Sequence, residues 1–296
     1  MTDWRKLGTV IRPDPDTWWG RTHAMLPAPE QVDGSLWRIW WGGRNDKNQS
    51  HVGWSLIDLD RPDVELERAK EPELTPGRLG TFDDNGVLPS CVIRTDGETR
   101  LYYIGFKPGG TTRMDLYGGL AIRPDGADKF ERWSEAPILE RCKANPFINT
   151  APWVVKTPMG WRMYYVAGVE WVHADLPRYN IQIATSDDGL DWQRDGRVAI
   201  DFAPGENALA RPYVWHDGET WRMWFASKGE AYRLQEAVST DGLHWTRLDP
   251  PGLEPGEGED SDMVEYAMVL THKGQRIVFY NGNDYGKGGV LAAVEA

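Results

Sequence analysis

Thr220-Trp221-Arg222-Met223-Trp224-Phe225-Ala226-Ser227 is one of five copies of a single phrase: an arginine, an aliphatic residue, then mostly aromatics. The others are Trp37-Arg38-Ile39-Trp40-Trp41-Gly42-Gly43, Thr99-Arg100-Leu101-Tyr102-Tyr103-Ile104-Gly105, Trp161-Arg162-Met163-Tyr164-Tyr165-Val166-Ala167 and Gln275-Arg276-Ile277-Val278-Phe279-Tyr280-Asn281. Their arginines stand at 38, 100, 162, 222 and 276, at intervals of 62, 62, 60 and 54. A repeat of this size marks a solenoid, a propeller or an array, and the content of each unit chooses between them. β-Branched and aromatic runs bounded by Gly, Asp and Pro read as strands, and no segment sustains a helical period. Around each copy four strands are predicted: an inner one such as 208–215, the phrase itself, a third such as 234–239, and a fourth beginning near Trp245. That unit is a propeller blade.

Away from the phrase, Asp3-Trp4-Arg5-Lys6-Leu7-Gly8-Thr9-Val10 repeats the Asp-Trp, Gly and Val spacing of Asp191-Trp192-Gln193-Arg194-Asp195-Gly196-Arg197-Val198, the fourth strand of blade three. The chain ends at Ala296, just after the third strand of the last blade. The expected fold is therefore an all-β, five-bladed β-propeller with four antiparallel strands per blade, its ring closed by the N-terminal strand joining the last blade. Blades are expected over 22–75, 86–139, 150–200, 207–249 and 263–296 with the N-terminal strand. Repeats that bury their faces only against one another make residues 1–296 a single domain.

Composition narrows the partners. With 40% hydrophobic and 26% charged residues, and no apolar run near the roughly 20 residues that span a bilayer, a soluble protein is expected. The first residues lack the apolar core of a secretion signal, and Cys91 and Cys142 form no paired framework. A cytoplasmic location without a disulfide follows. A net charge of −12 repels polyanions, which argues against nucleic acid and membrane surfaces and leaves a small molecule as partner.

Turn chemistry sorts the two faces. Asp33-Gly34, Asp96-Gly97, Asp217-Gly218 and Lys273-Gly274 are tight turns between first and second strands, while Asp188-Gly189 and Asp241-Gly242 join third to fourth. Strand alternation puts all of these on one face. The long, varied loops fall on the other, at 12–21, 44–50, 76–85, 107–117, 140–149, 168–179, 201–211, 228–233, 250–262 and 281–287. The site is expected there, at the mouth of the central channel.

Three phrases carry a resemblance: Glu206-Asn207-Ala208-Leu209-Ala210-Arg211-Pro212, Ser186-Asp187-Asp188-Gly189-Leu190-Asp191-Trp192, and Gly80-Thr81-Phe82-Asp83-Asp84-Asn85-Gly86-Val87-Leu88-Pro89. With the aromatic second strands they resemble the five-bladed β-propeller glycosidases of glycoside hydrolase families 43 and 32, over nearly the whole chain. The match is closest to a glycosidase-like group sharing the Phe-Asp-Asp-x-Gly phrase. The resemblance implies a carbohydrate-active enzyme with carboxylates at the starts of inner strands. Glu206 matches the general acid, and Asp84 or Asp262 would serve as base. Arg21-Thr22-His23 and residues 145–150 stand where further aspartates would match. Transfer, elimination or isomerisation of a sugar, and a catalytically silent carbohydrate-binding propeller, are the alternatives.

The expected binding groups follow from chemistry on the loop face. Asp83, Asp84, Glu170, Glu206, Asp262 and Glu265 come from four blades, and carboxylates in different environments can divide acid and base roles. Trp18, Trp19 and Trp171 offer planes for a sugar ring, whereas Trp4, Trp133, Trp192 and Trp245 and the tryptophans of the second strands pack between blades. His23, His51 and His173 lie near the mouth, but no close ligand spacing exists, so neither a metal nor another cofactor is expected. Arg21, Arg44, Lys107, Arg113, Arg211, Lys228 and Arg233 favour an anionic sugar derivative: a sugar nucleotide, sugar phosphate or sugar acid. Asn149, Tyr266 and Asn283, at loop ends, complete the expected set.

Overall fold

The computed structural model describes residues 3–249 and 252–296. Met1, Thr2, Pro250 and Pro251, placed by sequence in the approach to the first strand and in the 250–262 loop, lie outside the described residues. β1 (Trp4–Ile11) is followed by a first set of β2 (Ala24–Asp33), β3 (Leu36–Arg44), β4 (Ser50–Asp58) and β5 (Glu65–Arg68). The second set is β6 (Gly86–Thr95), β7 (Glu98–Pro108), β8 (Met114–Pro124) and β9 (Glu131–Arg132). The third is β10 (Asn149–Thr157), β11 (Gly160–His173), β12 (Leu176–Ser186) and β13 (Val198–Ile200). The fourth is β14 (Ala208–His216), β15 (Trp221–Lys228), β16 (Tyr232–Ser239) and β17 (Thr246–Arg247). β18 (Glu265–His272), β19 (Gln275–Asn281) and β20 (Val290–Glu295) form the fifth, to which β1 adds antiparallel, with Trp4 opposite Glu295 and Ile11 opposite Val290. Among the described residues no helix is long and apolar enough to cross a membrane.

Within each set the strands pair antiparallel in sequence order. Sets one to four join by single parallel bridges, Ser50 to Gly86, Tyr117 to Asn149 and Tyr179 to Ala208. The fifth meets the fourth where the Val264 amide donates to the Tyr232 carbonyl at 3.2 Å. It meets the first through Asn281, which accepts from the Leu26 amide at 2.8 Å and donates to the Ala24 carbonyl at 2.9 Å.

The repeated arginine and tyrosine reach into the next set. Arg100 and Tyr102 donate to the carbonyls of Asp188 and Gly189 at 2.6 and 2.8 Å. Arg162 and Tyr164 do the same to Asp241 and Gly242 at 2.9 and 2.6 Å. Ser186 and Ser239 hydroxyls accept the Gly189 and Gly242 amides at 2.8 Å, shaping each turn for its neighbour. At Gly242, φ is +68°, and a Cβ would lie 2.2 Å from the Arg162 guanidinium. Glycine is required there both by backbone and by space. The rest of the phrase is core: Trp40, Trp41, Tyr102, Tyr103, Tyr164, Tyr165, Trp224, Phe225, Phe279 and Tyr280 are all below 2% exposed. Trp133 is the exception to its expected packing, 55% exposed beyond the two-residue β9.

Every inner strand breaks register near its start, between Met25 and Ala28, Pro89 and Cys91, Thr150 and Trp153, Ala210 and Tyr213, and Glu265 and Met268. Proline, which cannot donate to a ladder, stands at four of these breaks, as Pro27, Pro89, Pro152 and Pro212. Leu26, Ala151, Arg211 and Tyr266 take left-handed φ of 49 to 57° there. These bulges turn one side chain per strand toward a common space.

Candidate functional site

Leu26, Ala151, Arg211 and Tyr266 at the bulges of four inner strands, and Leu88 just before the break in the other, line one chamber of about 120 Å³. It opens into an outer chamber of about 330 Å³ on the long-loop side, and Leu26, Leu88, Leu116, Tyr179, Tyr232 and Tyr266 belong to both. The outer chamber adds Arg44, Arg113, Lys228 and Tyr285. Its roof includes Asp175, Leu176 and Pro177, at the tip of a hairpin where a loop over 168–179 was expected. β11 and β12 run past the sheet there because Val169, Trp171 and Val172 keep the strand pattern, with Glu170 paired to Arg178 and His173 to Leu176.

The walls are tyrosine. Tyr179 and Tyr232 share a 2.8 Å hydroxyl bond, Tyr232 meets Tyr266 and Tyr285 at 6.0 and 6.2 Å between ring centroids, and Lys228 donates to the Tyr285 hydroxyl at 3.0 Å. Asp284 and Tyr285 both hold left-handed φ, 55 and 58°. Asn283, beside that turn, clamps the neighbouring loop, accepting from the Asp262 and Met263 amides at 2.9 and 3.1 Å. Two consecutive non-glycine residues in this region cost of the order of 1–3 kcal/mol each, strain that tends to be kept at ligand sites.

Behind the tyrosines lies Glu265, 0% exposed, with neither carboxylate oxygen in a hydrogen bond. Burial pushes its pKa well above the usual glutamate value, against the opposing pull of Tyr266 and Lys228. Burial thus favours its neutral form, and the phenols of Tyr232 and Tyr266 are pushed up by burial as well. At the floor Arg211, 1% exposed, donates to the Ser90 carbonyl and, at 2.6 Å, to the Pro27 carbonyl. Its guanidinium crosses from the fourth set to the first and second, and burial lowers its pKa to about 10.

The other expected residues are placed differently. Glu206 is not among the residues lining either chamber. It accepts two bonds of 2.8 Å from Arg247 and one of 2.8 Å from the Ala203 amide. Burial pushes its carboxyl up, but the Arg247 guanidinium and that amide outweigh burial and hold the pKa below the usual value. A carboxylate so held is ionised and poorly suited to donate a proton. Asp83, fully buried, accepts from Thr81, Tyr103 and Arg132 at 2.9, 3.0 and 2.9 Å. Asp84 caps the Gly80 amide at 2.8 Å and faces Lys107 at 3.8 Å. Asp262 is exposed, with its carbonyl bound by Arg233 at 2.8 Å.

Trp19 is a plug and not a sugar platform: it is 0% exposed, stacked on Trp41 at 4.5 Å, and Gly53 leaves room for its ring. Trp18 is 43% exposed and bonded to Glu71 at 3.2 Å. Trp171 and Glu170 ride the projecting hairpin, where Glu170 pairs with Arg178 at 2.6 Å. Asn149 is buried and donates to the Glu140 and Asn145 carbonyls at 3.1 and 3.0 Å. His23 bonds Thr22 at 2.8 Å; burial, then Arg44 and Lys287, lower its pKa to about 4. Arg21 is exposed and, among the described residues, makes no side-chain bond. Of the expected set, the outer chamber gathers Arg44, Arg113, Lys228 and Tyr266 directly, with Glu265 behind them and Arg211 below. Tyr179, Tyr232 and Tyr285 were missed; the recurring Xaa-Pro at 27, 89, 152 and 212 was the available signal for where the chamber lies.

Among the described residues no three His, Cys, Asp or Glu side chains group closely enough to hold a metal ion.

Repeated four-stranded antiparallel sets around a pocket at the inner strands define the propeller glycosidase fold. A solved structure from the GH130 family of mannoside phosphorylases, which contains glycoside hydrolases that target β-1,2 mannosidic linkages in Candida mannan, superposes with a TM-score of 0.76 at 14% identity, over 99% of this chain and 93% of that one. A thermostable family-43 glycoside hydrolase superposes with a TM-score of 0.70 at 16% identity, over 92% and 88%. No family model matches the chain. It belongs to the same family as the Mycobacterium tuberculosis (strain ATCC 25618 / H37Rv) protein called "Uncharacterized protein Rv1502", with 39% identity over 297 residues covering 98% of each.

Proposed function

We propose that this chain is a carbohydrate-active, glycosidase-like enzyme acting on a small anionic sugar derivative in the tyrosine-walled pocket. The observation that carries this reading is the meeting of Arg44, Arg113 and Lys228, from three different sets, at one pocket. Among the described residues none of the three is in an ion pair; Arg44 bonds only Asn48, at 3.1 Å, and Lys228 only Tyr285. Unpaired cations at one mouth of a chain with net charge −12 suit an anionic ligand, and guanidinium geometry suits phosphate or carboxylate. Glu265, buried and with its pKa raised by that burial, is the proton carrier in this reading, in the manner of carboxylic acids kept protonated by apolar surroundings. Asp175 at the hairpin tip is the acidic lining residue available as its partner.

The same proposal takes the five sets as blades of one closed ring, a single domain over 1–296 completed by β1. The bonds of Arg211 to Ser90 and Pro27, which pass over intervening sets, and those of Asn281 to Ala24 and Leu26 support it.

A second reading, sugar transfer, elimination or isomerisation, draws on one observation: Asp83, Asp84 and Glu206 are engaged in ion pairs and capping bonds. A mass-spectrometric screen of neutral and anionic glycosides, sugar phosphates and sugar nucleotides separates the two. Cleavage of an anionic member supports the first reading and a rearranged or transferred product the second. Binding without turnover across the panel would leave a sugar-binding protein.

A further inference from the structure

The two chambers differ in chemistry. The outer is ringed by cations and phenols, while the inner is walled chiefly by Leu26, Leu88, Ile104, Leu116, Ile148 and Val166. Polar groups of the inner wall are few, and most of them are engaged. Arg211 donates to main-chain carbonyls and the Tyr179 and Tyr232 hydroxyls bond each other, which leaves the Thr150 hydroxyl and the Arg211 Nε as buried polar atoms without a partner. A sugar ring entering such a space would bring more hydroxyls than those two atoms can bond, and the rest would lose their water bonds without replacement. An apolar group would lose nothing and leave water.

We propose that the substrate is an anionic sugar derivative bearing a short apolar substituent, an acyl, alkyl or aryl group. The substituent fills the inner chamber while the anion stays among Arg44, Arg113 and Lys228. This rests on the proposed use of the outer chamber for an anion and adds what lies beneath it. The shared residues Leu26, Leu88 and Leu116 form the passage between the two, so one ligand can occupy both. Ala151 and Ala210, the smallest side chains of the inner wall, leave the room.

The test needs no knowledge of the sugar. Straight-chain alkyl phosphates from methyl to hexyl, with hexanol as the uncharged control, are titrated into the full-length chain by calorimetry. Affinity should rise about fourfold per methylene until the chamber is full, then level off. Hexanol should bind at least about tenfold more weakly than hexyl phosphate. Ala210→Leu and Val166→Phe, which fill the chamber, should flatten the series and leave methyl phosphate unaffected. Should either variant misfold, the series on the native chain still decides. An affinity independent of chain length overturns the apolar substituent while leaving an anion site at the mouth. Failure of every alkyl phosphate to bind overturns the proposal as a whole, whereas the function of the pocket stands or falls with the separate glycoside screen.

Discussion

Glu206 and Arg247 are joined by two bonds of 2.8 Å, one to each carboxylate oxygen, and the arrangement recurs. Asp83 is held by Arg132 at 2.9 Å, and Asp260 by Lys6 at 2.6 Å. In each, an acid on the loop entering an inner strand is tied to a cation on the outermost strand of its own set. In two of them a second-strand tyrosine adds a bond, Tyr103 to Asp83 at 3.0 Å and Tyr280 to Asp260 at 2.8 Å. The equivalence makes Glu206 a loop clamp. Glu206→Gln should therefore cost about 1.5–3 kcal/mol of stability, with turnover per folded molecule largely unchanged. Thermal melting and a specific-activity assay check this; a rate loss of 100-fold or more would return Glu206 to the reaction.

Removing residues 1–11 should destabilise the entire chain. β1 covers the edge of β20, the Trp4 indole donates to the Gly252 carbonyl at 2.6 Å, and Lys6 holds the buried Asp260. Its loss leaves both an open strand edge and a buried carboxylate without its cation. Aggregation or a melting temperature lowered by more than roughly 5 °C is expected on size exclusion and calorimetry. An unchanged melt would show that the fifth set does not need β1.

The architecture was legible because its signals are periodic. The arginine-aromatic phrase marked the second strands, and the Asp-Trp phrase at 3–4 placed β1 beside β20. The site was less legible because side-chain partners come from strands far apart in sequence. Glu206 is bound by Arg247, 41 residues away, a pairing that the sequence signals only through the Trp-x-Lys or Trp-x-Arg phrases at 4–6, 192–194 and 245–247. Trp19 looked like a platform because nothing local shows that Gly43 and Gly53 vacate space for it. Tyr285 owes its position to a strained turn beside Asn283, which composition does not announce.

His51 should shape the acid limb of stability. It is 4% exposed, accepts from the Asn45 amide at 3.2 Å, packs edge-on against Trp18 at 5.0 Å, and is lowered by burial from 6.5 to about 4. The unfolded chain binds a proton there before the folded one does. Its contribution is full above pH 6.5 and is lost as pH falls from 6.5 through about 4. His51→Gln should flatten the fall in melting temperature across that window and leave its slope at pH 7–8 unchanged. A variant with the native slope between those values would exclude His51 as a source of acid sensitivity.

Glu265 acts with the opposite sign. Its folded pKa lies above the ordinary 4.5, so between those two values the folded chain holds a proton that the unfolded chain has released. Stability is therefore complete below about pH 4.5 and declines as pH rises through the folded pKa. Glu265→Gln keeps the shape and removes the titration. The variant should match the native protein near pH 4 and exceed it increasingly as pH rises from 4.5 toward the folded pKa, with roughly 2–4 °C in melting temperature for each kcal/mol. If Glu265 also supplies the proton in the reaction, the same variant loses 10²- to 10⁴-fold in rate. The basic limb of the native pH–rate profile should then begin at the folded pKa, the pH at which the decline in native stability ends. A rate loss without that coincidence of pH would assign Glu265 a positioning role through Tyr266, and a native rate would remove it from the chemistry.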